Sequence, residues 1–335
     1  MKPVIFGVSG HALTADERAF FKDADPLGYI LFKRNCGDRA QMKALTDSLR
    51  DLSGRADLPI LIDQEGGRVA RMVPPEWPAF PAGAAFDALY EVAPISAIEA
   101  ARANAQALAT MLAEVGVTVN CAPLLDVRQP DVTEAIGDRA FGGDPMRVAA
   151  LGQATLEGMR RGGVVGVVKH MPGHGRALVD SHYDLPHVKA EAAALEWDLE
   201  PFVRLSDAPM GMTCHVVFEA WDAERPATLS PKVISGIIRG RIGFDGLLMT
   251  DDIDMKALSG TAGEKAAQAL AAGCDVVLDC WARMDEMVEI AGLIGEATPD
   301  CLVRLERAMA TIAGGQEPGD FEALAAKRDE LLALA

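Results

Sequence analysis

The stretch that decides the fold runs from residue 144 to 170, DPMRVAALGQATLEGMRRGGVVGVVKH. Asp144 is a good helix cap, and Pro145 suits the first helical position, where no backbone N–H is needed. The helical pattern Pro145–Arg161 follows. Two glycines then lead into Val164–Val168, an unbroken apolar run that stops at Lys169-His170. A strand that is apolar at every position, rather than at alternate ones, is buried on both faces, as in a parallel sheet covered by helices.

Outward from this unit the same alternation repeats. Strands are predicted at Val4–Val8, Gly28–Phe32, Pro59–Ile62, Val117–Cys121, Val164–Val168, Gly211–Cys214, Gly246–Met249 and Asp275–Leu278. Between them lie helical patterns at Asp16–Asp23, Met42–Leu52, Ile95–Glu114, Pro145–Arg161, Ala190–Leu205, Pro231–Arg241, Gly263–Ala272 and Met284–Gly295. Ser230-Pro231 repeats the cap-and-proline signal. Eight β–α units predict a (β/α)8 TIM-type barrel, with a doubly wound sheet as the alternative. The whole chain, 1–335, reads as one catalytic barrel. A helical tail at about 320–335 is expected to pack outside it.

Composition narrows the function. The 335 residues are 50% hydrophobic and carry a formal charge of −17, with 32 basic and 49 acidic residues. That balance disfavours nucleic acid and anionic membrane surfaces as partners. Eleven Phe, four Trp and three Tyr are few for a long groove that stacks sugar rings or bases. Cys36, Cys121, Cys214, Cys274, Cys280 and Cys301 form no C-x-x-C pair and sit mostly in apolar runs, so they read as reduced core residues. The N-terminal apolar run is too short for a signal peptide, and no stretch is long enough to span a membrane. The expectation is a cytoplasmic protein, most simply a monomer, acting on a small molecule.

Polar residues collect where the strands end. Asp63-Gln64-Glu65, Asn120 with Asp126, Lys169-His170, His215 and Asp251-Asp252 all follow apolar runs. In a parallel barrel these ends form one face, which carries the active site. Loop polarity alone explains any one of them, but not five together. The segment from Lys169 to His182 holds three of the six His. Its Pro and Gly residues exclude a helix, and a shaped loop of this length is usually functional. Asp180 and His182 are two apart. On an extended backbone they point the same way, so the carboxylate can fix one imidazole nitrogen and tune the other for proton transfer. His174, between glycines, reads as a structural histidine. Gly173 and Gly175 leave room for loop movement.

Asp251 ends the apolar run after Gly243-Phe244-Asp245-Gly246, and a carboxylate at the barrel mouth suits attack on a sugar's anomeric carbon. Helix capping is assigned instead to Asp252, or to Asp254. Asp63, Arg71 and Arg139 suit sugar hydroxyls, which carboxylates accept from and guanidinium groups donate to; surface ion pairing is the plainer reading of the arginines. No metal or cofactor is expected, because the His spacing matches no compact ligand set. A Schiff-base lyase using Lys169 lacks a second catalytic lysine, and a sugar sensor would not need the Asp180–His182 loop.

The blocks LIDQEGGRVAR (61–71), AIGDRAFGGDP (135–145), VKHMPGHGRALVDSH (168–182), GMTCHVVF (211–218) and GFDGLLMTDDIDM (243–255) together resemble glycoside hydrolase family 3, most closely its NagZ-type β-N-acetylglucosaminidases. The K-H-x-P-G-H-G-x4-D-S-H block with the following D-D is the specific part. The resemblance implies a barrel without the second domain many members carry. It implies Asp251 as nucleophile, His182 as general acid/base and Asp180 as its partner. It implies that Asp63, Arg71, Arg139, Lys169 and His170 bind N-acetylglucosamine. The implied reaction releases that sugar from muropeptide fragments during cell-wall recycling, through a covalent glycosyl-enzyme. A β-glucosidase or an N-acetylglucosaminide phosphorylase is the alternative. Ile253-Asp254 stands where the family commonly has Leu-Ser, which leaves the role of Asp254 open.

Overall fold

The computed structural model describes residues 1–181, 183–314 and 319–335. Eight strands close into an all-parallel barrel: β1 (Lys2–Gly7), β2 (Pro26–Leu31), β3 (Ile60–Ile62), β4 (Val119–Asn120), β5 (Val165–Met171), β6 (Met210–Thr213), β7 (Leu247–Asp252) and β8 (Val276–Asp279). Each pairs with its sequence neighbours, and β8 pairs with β1. Closure settles the choice against a doubly wound sheet. A two-residue ribbon, His187–Val188 with Val217–Phe218, lies outside the barrel.

The core has two layers, as a barrel of this kind requires. Inside, Ile5, Ile30, Leu61, Val167, Met212 and Met249 are among the side chains filling the bore. Outside, larger aliphatic and aromatic side chains join the sheet to the surrounding helices. All six cysteines are free, five of them buried. None of the helices among the described residues is long and apolar enough to cross a membrane.

Two helices escape the sequence reading. Gly83–Val92 begins with no side-chain cap. Pro299–Ala310 is capped by Thr298, whose hydroxyl accepts from Cys301 N at 3.2 Å. Its Cys301, Leu305 and Met309 plug the bore from the N-terminal side of the strands. Arg304 fixes it there with ion pairs to Asp245 and Asp275, at 3.1 and 2.9 Å, at the starts of β7 and β8. With one end plugged, the opposite end is left for a site. The expected helix at Pro231–Arg241 is mostly a wide π-helix, Val233–Ile242. The tail helix, Phe321–Leu332, packs on the outer helices: Phe321 meets Phe80 edge-on at 6.3 Å, and Arg328 donates to Asn104 Oδ1 at 3.2 Å.

Candidate active site

A cavity of about 530 Å³ opens at the C-terminal ends of the strands. Asp63, Arg71, Arg139, Lys169, His170, Asp180 and Asp251 all line it. Seven of the eight residues singled out from sequence are thus brought together. His182 lies outside the described residues.

One wall is a chain of alternating charge. Arg71 Nη2 lies 3.1 Å from Asp63 Oδ2, and Lys169 Nζ lies 3.1 Å from Asp63 Oδ1. Lys169 reaches Glu65 Oε1 at 2.7 Å, and Arg139 grips the Glu65 carboxylate with two N–H groups at 2.7 and 2.8 Å. Burial alone would raise both carboxyls, but the Lys169 and arginine charges outweigh it and hold Asp63 and Glu65 below the usual carboxylate range. Lys169 is pushed above the ordinary lysine value: burial opposes its charge, and the two carboxylates more than restore it. It is therefore a firmly charged ammonium, which disfavours a Schiff-base nucleophile. Glu65 was not singled out from sequence. It stands in the quoted Asp63-Gln64-Glu65 run, but its partners come from residues 139 and 169, beyond any local signal.

Across from this wall stands Asp251, in the last turn-out of β7 and 22% exposed at its side chain. Burial would raise its carboxyl; His170, His215, the Asp252 N–H and Lys169 together lower it below the usual range. Asp252 N donates to Asp251 Oδ1 at 2.8 Å, and His170 Nε2 lies 4.0 Å from Oδ2. Asp251 is an ionised carboxylate with one oxygen held and the other facing an imidazole.

His170 and Lys169 are themselves part of β5, which runs three residues further than the apolar run suggested, to Met171. His170 Nδ1 lies 2.7 Å from Asp126 Oδ2. Asp126, fully buried, also accepts from His170 N at 3.2 Å and His174 N at 2.6 Å. One carboxylate thus orients the imidazole beside Asp251 and pins the start of the long loop. His174 behaves as the structural histidine expected: it is buried, its Nε2 lies 3.4 Å from Ser181 Oγ, and burial pushes its pKa down to about 4, so it stays neutral. His215 donates from Nε2 to the Asp252 carbonyl at 2.9 Å, steadying the chain next to Asp251.

The Asp180 carbonyl accepts from Tyr183 N at 2.9 Å and Asp184 N at 3.2 Å. One reading is corrected: Asp252 and Asp254 do not cap the helix that follows. The next helix, Ala262–Ala272, is capped by Thr261, and Asp252 Oδ1 instead accepts from Asp254 N at 3.2 Å and Cys280 N at 3.3 Å. Asp254 pairs with Arg283 at 2.7 Å. Gly175 serves close packing, since a Cβ there would sit 1.9 Å from the Val127 carbonyl oxygen. Ala257 N also donates to Ser181 O at 3.3 Å, tying the loop to the segment after Asp251.

Behind the site, Asp279 is 1% exposed, and neither carboxyl oxygen has a hydrogen-bond partner among the described residues. Burial and the neighbouring Asp252 and Glu286 charges raise its pKa to about 7. A pKa raised on folding gives stability that is full below the unfolded value near 4 and lost as pH rises through 7. Asp279→Asn removes this dependence. Its melting temperature is expected to match the wild type near pH 4 and to exceed it at pH 8, by up to about 4 kcal/mol in stability. Equal melting curves at both pH values would contradict the assignment.

Among the described residues, no group of three or more His, Cys, Asp or Glu side chains is arranged to hold a metal ion.

Residues 7–307 match the model described as the glycosyl hydrolase family 3 N terminal domain. The chain belongs to glycosyl hydrolase family 3. It is 38% identical over 341 residues to a protein from Chromobacterium violaceum named beta-hexosaminidase, covering 99% of this chain and 92% of that one. The native NagZ structure from Neisseria gonorrhoeae superposes with a TM-score of 0.88 at 31% identity, over 99% of this chain and 98% of that one. The same figures hold for the complex of that NagZ with N-trifluoroacetyl-D-glucosamine.

Proposed function

We propose that this family-3 member is a retaining β-N-acetylhexosaminidase that removes β-linked N-acetylglucosamine from the non-reducing end of its substrate. The observation that carries the reading is Asp251: an ionised carboxylate facing the cavity, opposite a wall of charged hydrogen-bonding groups. Relatives named beta-hexosaminidase and NagZ support the same chemistry.

The terminal sugar binds against Asp63, Arg71, Lys169 and His170, with Arg139 holding the wall through Glu65. Asp251 attacks the anomeric carbon as the bond to the leaving oxygen breaks, and His182 gives that oxygen its proton. The product leaves a glycosyl ester on Asp251. Water then adds to the anomeric carbon, its proton passes to His182, and Asp251 departs as the carboxylate. Asp180, which lines the cavity, is the group assigned to orient His182. An imidazole in place of a second carboxylate adds no negative charge beside Asp251. That suits a substrate carrying peptide carboxylates, such as a muropeptide fragment in cytoplasmic cell-wall recycling.

Aryl N-acetylglucosaminides and aryl glucosides, each with and without phosphate, test this. Release of free N-acetylglucosamine is expected, favoured over glucose by roughly a hundredfold or more and indifferent to phosphate; buried polar groups left unpaired by the wrong sugar give such ratios. A sugar 1-phosphate product, or preference for the glucoside, would replace the reading with phosphorolysis or β-glucosidase action.

A further inference from the structure

One aromatic side chain at the site is unused by the mechanism. Trp281 lies two residues past the end of β8, lines the same cavity as Asp251, and is 56% exposed. Leaving an indole half in water forfeits burial of a large apolar surface, so its position calls for a reason.

The backbone on both sides of Trp281 is fixed. Cys280 N donates to Asp252 Oδ1 at 3.3 Å, and the Cys280 carbonyl accepts from the Arg34 guanidinium. Ala282 sits in the left-handed region at φ 55°, a conformation that costs a residue with a Cβ about 1–2 kcal/mol and persists only where its surroundings impose it. Arg283 then pairs with Asp254 at 2.7 Å and Glu286 at 2.6 Å. Asp252 and Asp254 belong to the segment that carries Asp251. The indole is therefore mounted on the same framework as the nucleophile, and Asp254 acquires a purpose in holding it.

Phe32 is the other aromatic lining the cavity, and its ring has the guanidinium groups of Arg34 and Arg71 at 4.9 and 5.1 Å. Among the described residues, no ring or cationic group is recorded stacked on Trp281. With the terminal sugar on the charged wall, the leaving group extends toward the mouth. A pyranose ring presents a face of C–H groups and an edge of hydroxyls. The first suits an indole, and the second suits the Arg34 and Lys256 donors that line the same cavity.

We propose that Trp281 is the platform on which the substrate's second sugar ring stacks, making it a determinant of specificity for the leaving group. The proposal rests on the N-acetylhexosaminidase reading of the site. The enzyme is assayed as the full chain on two substrates: N-acetyl-β-D-glucosaminyl fluoride, whose leaving group has no ring, and N,N′-diacetylchitobiose, whose leaving group is a second sugar. Trp281→Ala is expected to lower kcat/KM about tenfold on chitobiose, mainly through KM, and to leave the fluoride within about twofold of wild type. Trp281→Phe, which keeps an aromatic face, is expected to restore most of the chitobiose activity. Equal losses on both substrates would assign Trp281 a structural role and overturn the proposal. No loss on either would overturn it as well. Failure of the wild type on the fluoride would instead strike the underlying reading, so the two failures are separable.

Discussion

An Asp251→Asn enzyme is expected to fold, to bind N-acetylglucosamine, and to lose about five orders of magnitude in kcat, or about 7 kcal/mol of transition-state stabilisation. The amide keeps the shape of the carboxylate and can still accept the Asp252 N–H that Oδ1 now receives at 2.8 Å. What it lacks is charge and nucleophilicity. The structure raises the value of that charge: a buried carboxylate would normally hold its proton more tightly, yet His170, His215 and Lys169 keep Asp251 ionised. The nucleophile is therefore ready well below neutral pH, and it sets no acidic limb to the rate in the neutral range. Two measurements check the role. Turnover of an aryl N-acetylglucosaminide gives the size of the loss. Mass spectrometry after reaction with a 5-fluoro N-acetylglucosaminyl fluoride should find a glycosylated peptide containing Asp251 in the wild type and none in the variant. An adduct on Asp63 would move the nucleophile. Turnover without any adduct, with activity surviving in Asp251→Asn, would favour attack by the substrate's own acetamido oxygen.

The architecture was largely readable because parallel strands buried on both faces announce themselves as short, unbroken apolar runs. Each of the eight runs became a barrel strand. Their ends were less sharp: β5 extends through Lys169 and His170 to Met171, since a charged side chain at a barrel mouth can stay in the ladder and still reach a partner. The helix Pro299–Ala310 was missed although Thr298-Pro299 carries the same cap-and-proline signal as Asp144-Pro145. Gly83–Val92 offered no such signal. In the site, strand-end position located the carboxylates and cations but not who pairs with whom. Glu65 takes its partners from Arg139 and Lys169, and Asp126 takes its partners from His170 and His174, all distant in sequence, and only the closed barrel juxtaposes them. Asp252 reads locally as a helix cap because Asp is a good one, but the chain after β7 makes a turn, and the carboxylate is taken by Cys280 N on the neighbouring strand's exit. Asp180, singled out two residues before His182 in the loop after β5, lines the cavity.

His182→Ala is expected to separate substrates by their leaving groups. A sugar alkoxide is a poor leaving group and needs a proton as the bond breaks, so its release should slow by about 10³–10⁴, within the usual range for general acid catalysis. A dinitrophenolate leaves unaided, so glycosylation of Asp251 by that substrate should hardly slow. Turnover would then stall at hydrolysis of the glycosyl-enzyme, for which His182 is also the base. The expected signature is a burst of phenolate, equal to the enzyme concentration, followed by a slow steady state. Azide needs no base, so it should accelerate that steady state and yield the β-glycosyl azide, with configuration retained. Asp180→Asn should show the same pattern in weaker form, because the amide can hold the ring but cannot stabilise its charged state. The pH profile gives a further check. If an imidazole is the acid, the alkaline limb of kcat/KM on a sugar leaving group disappears in His182→Ala while Asp251 remains ionised throughout. Equal losses on the two leaving groups, with no burst and an unchanged alkaline limb, would take proton transfer away from His182.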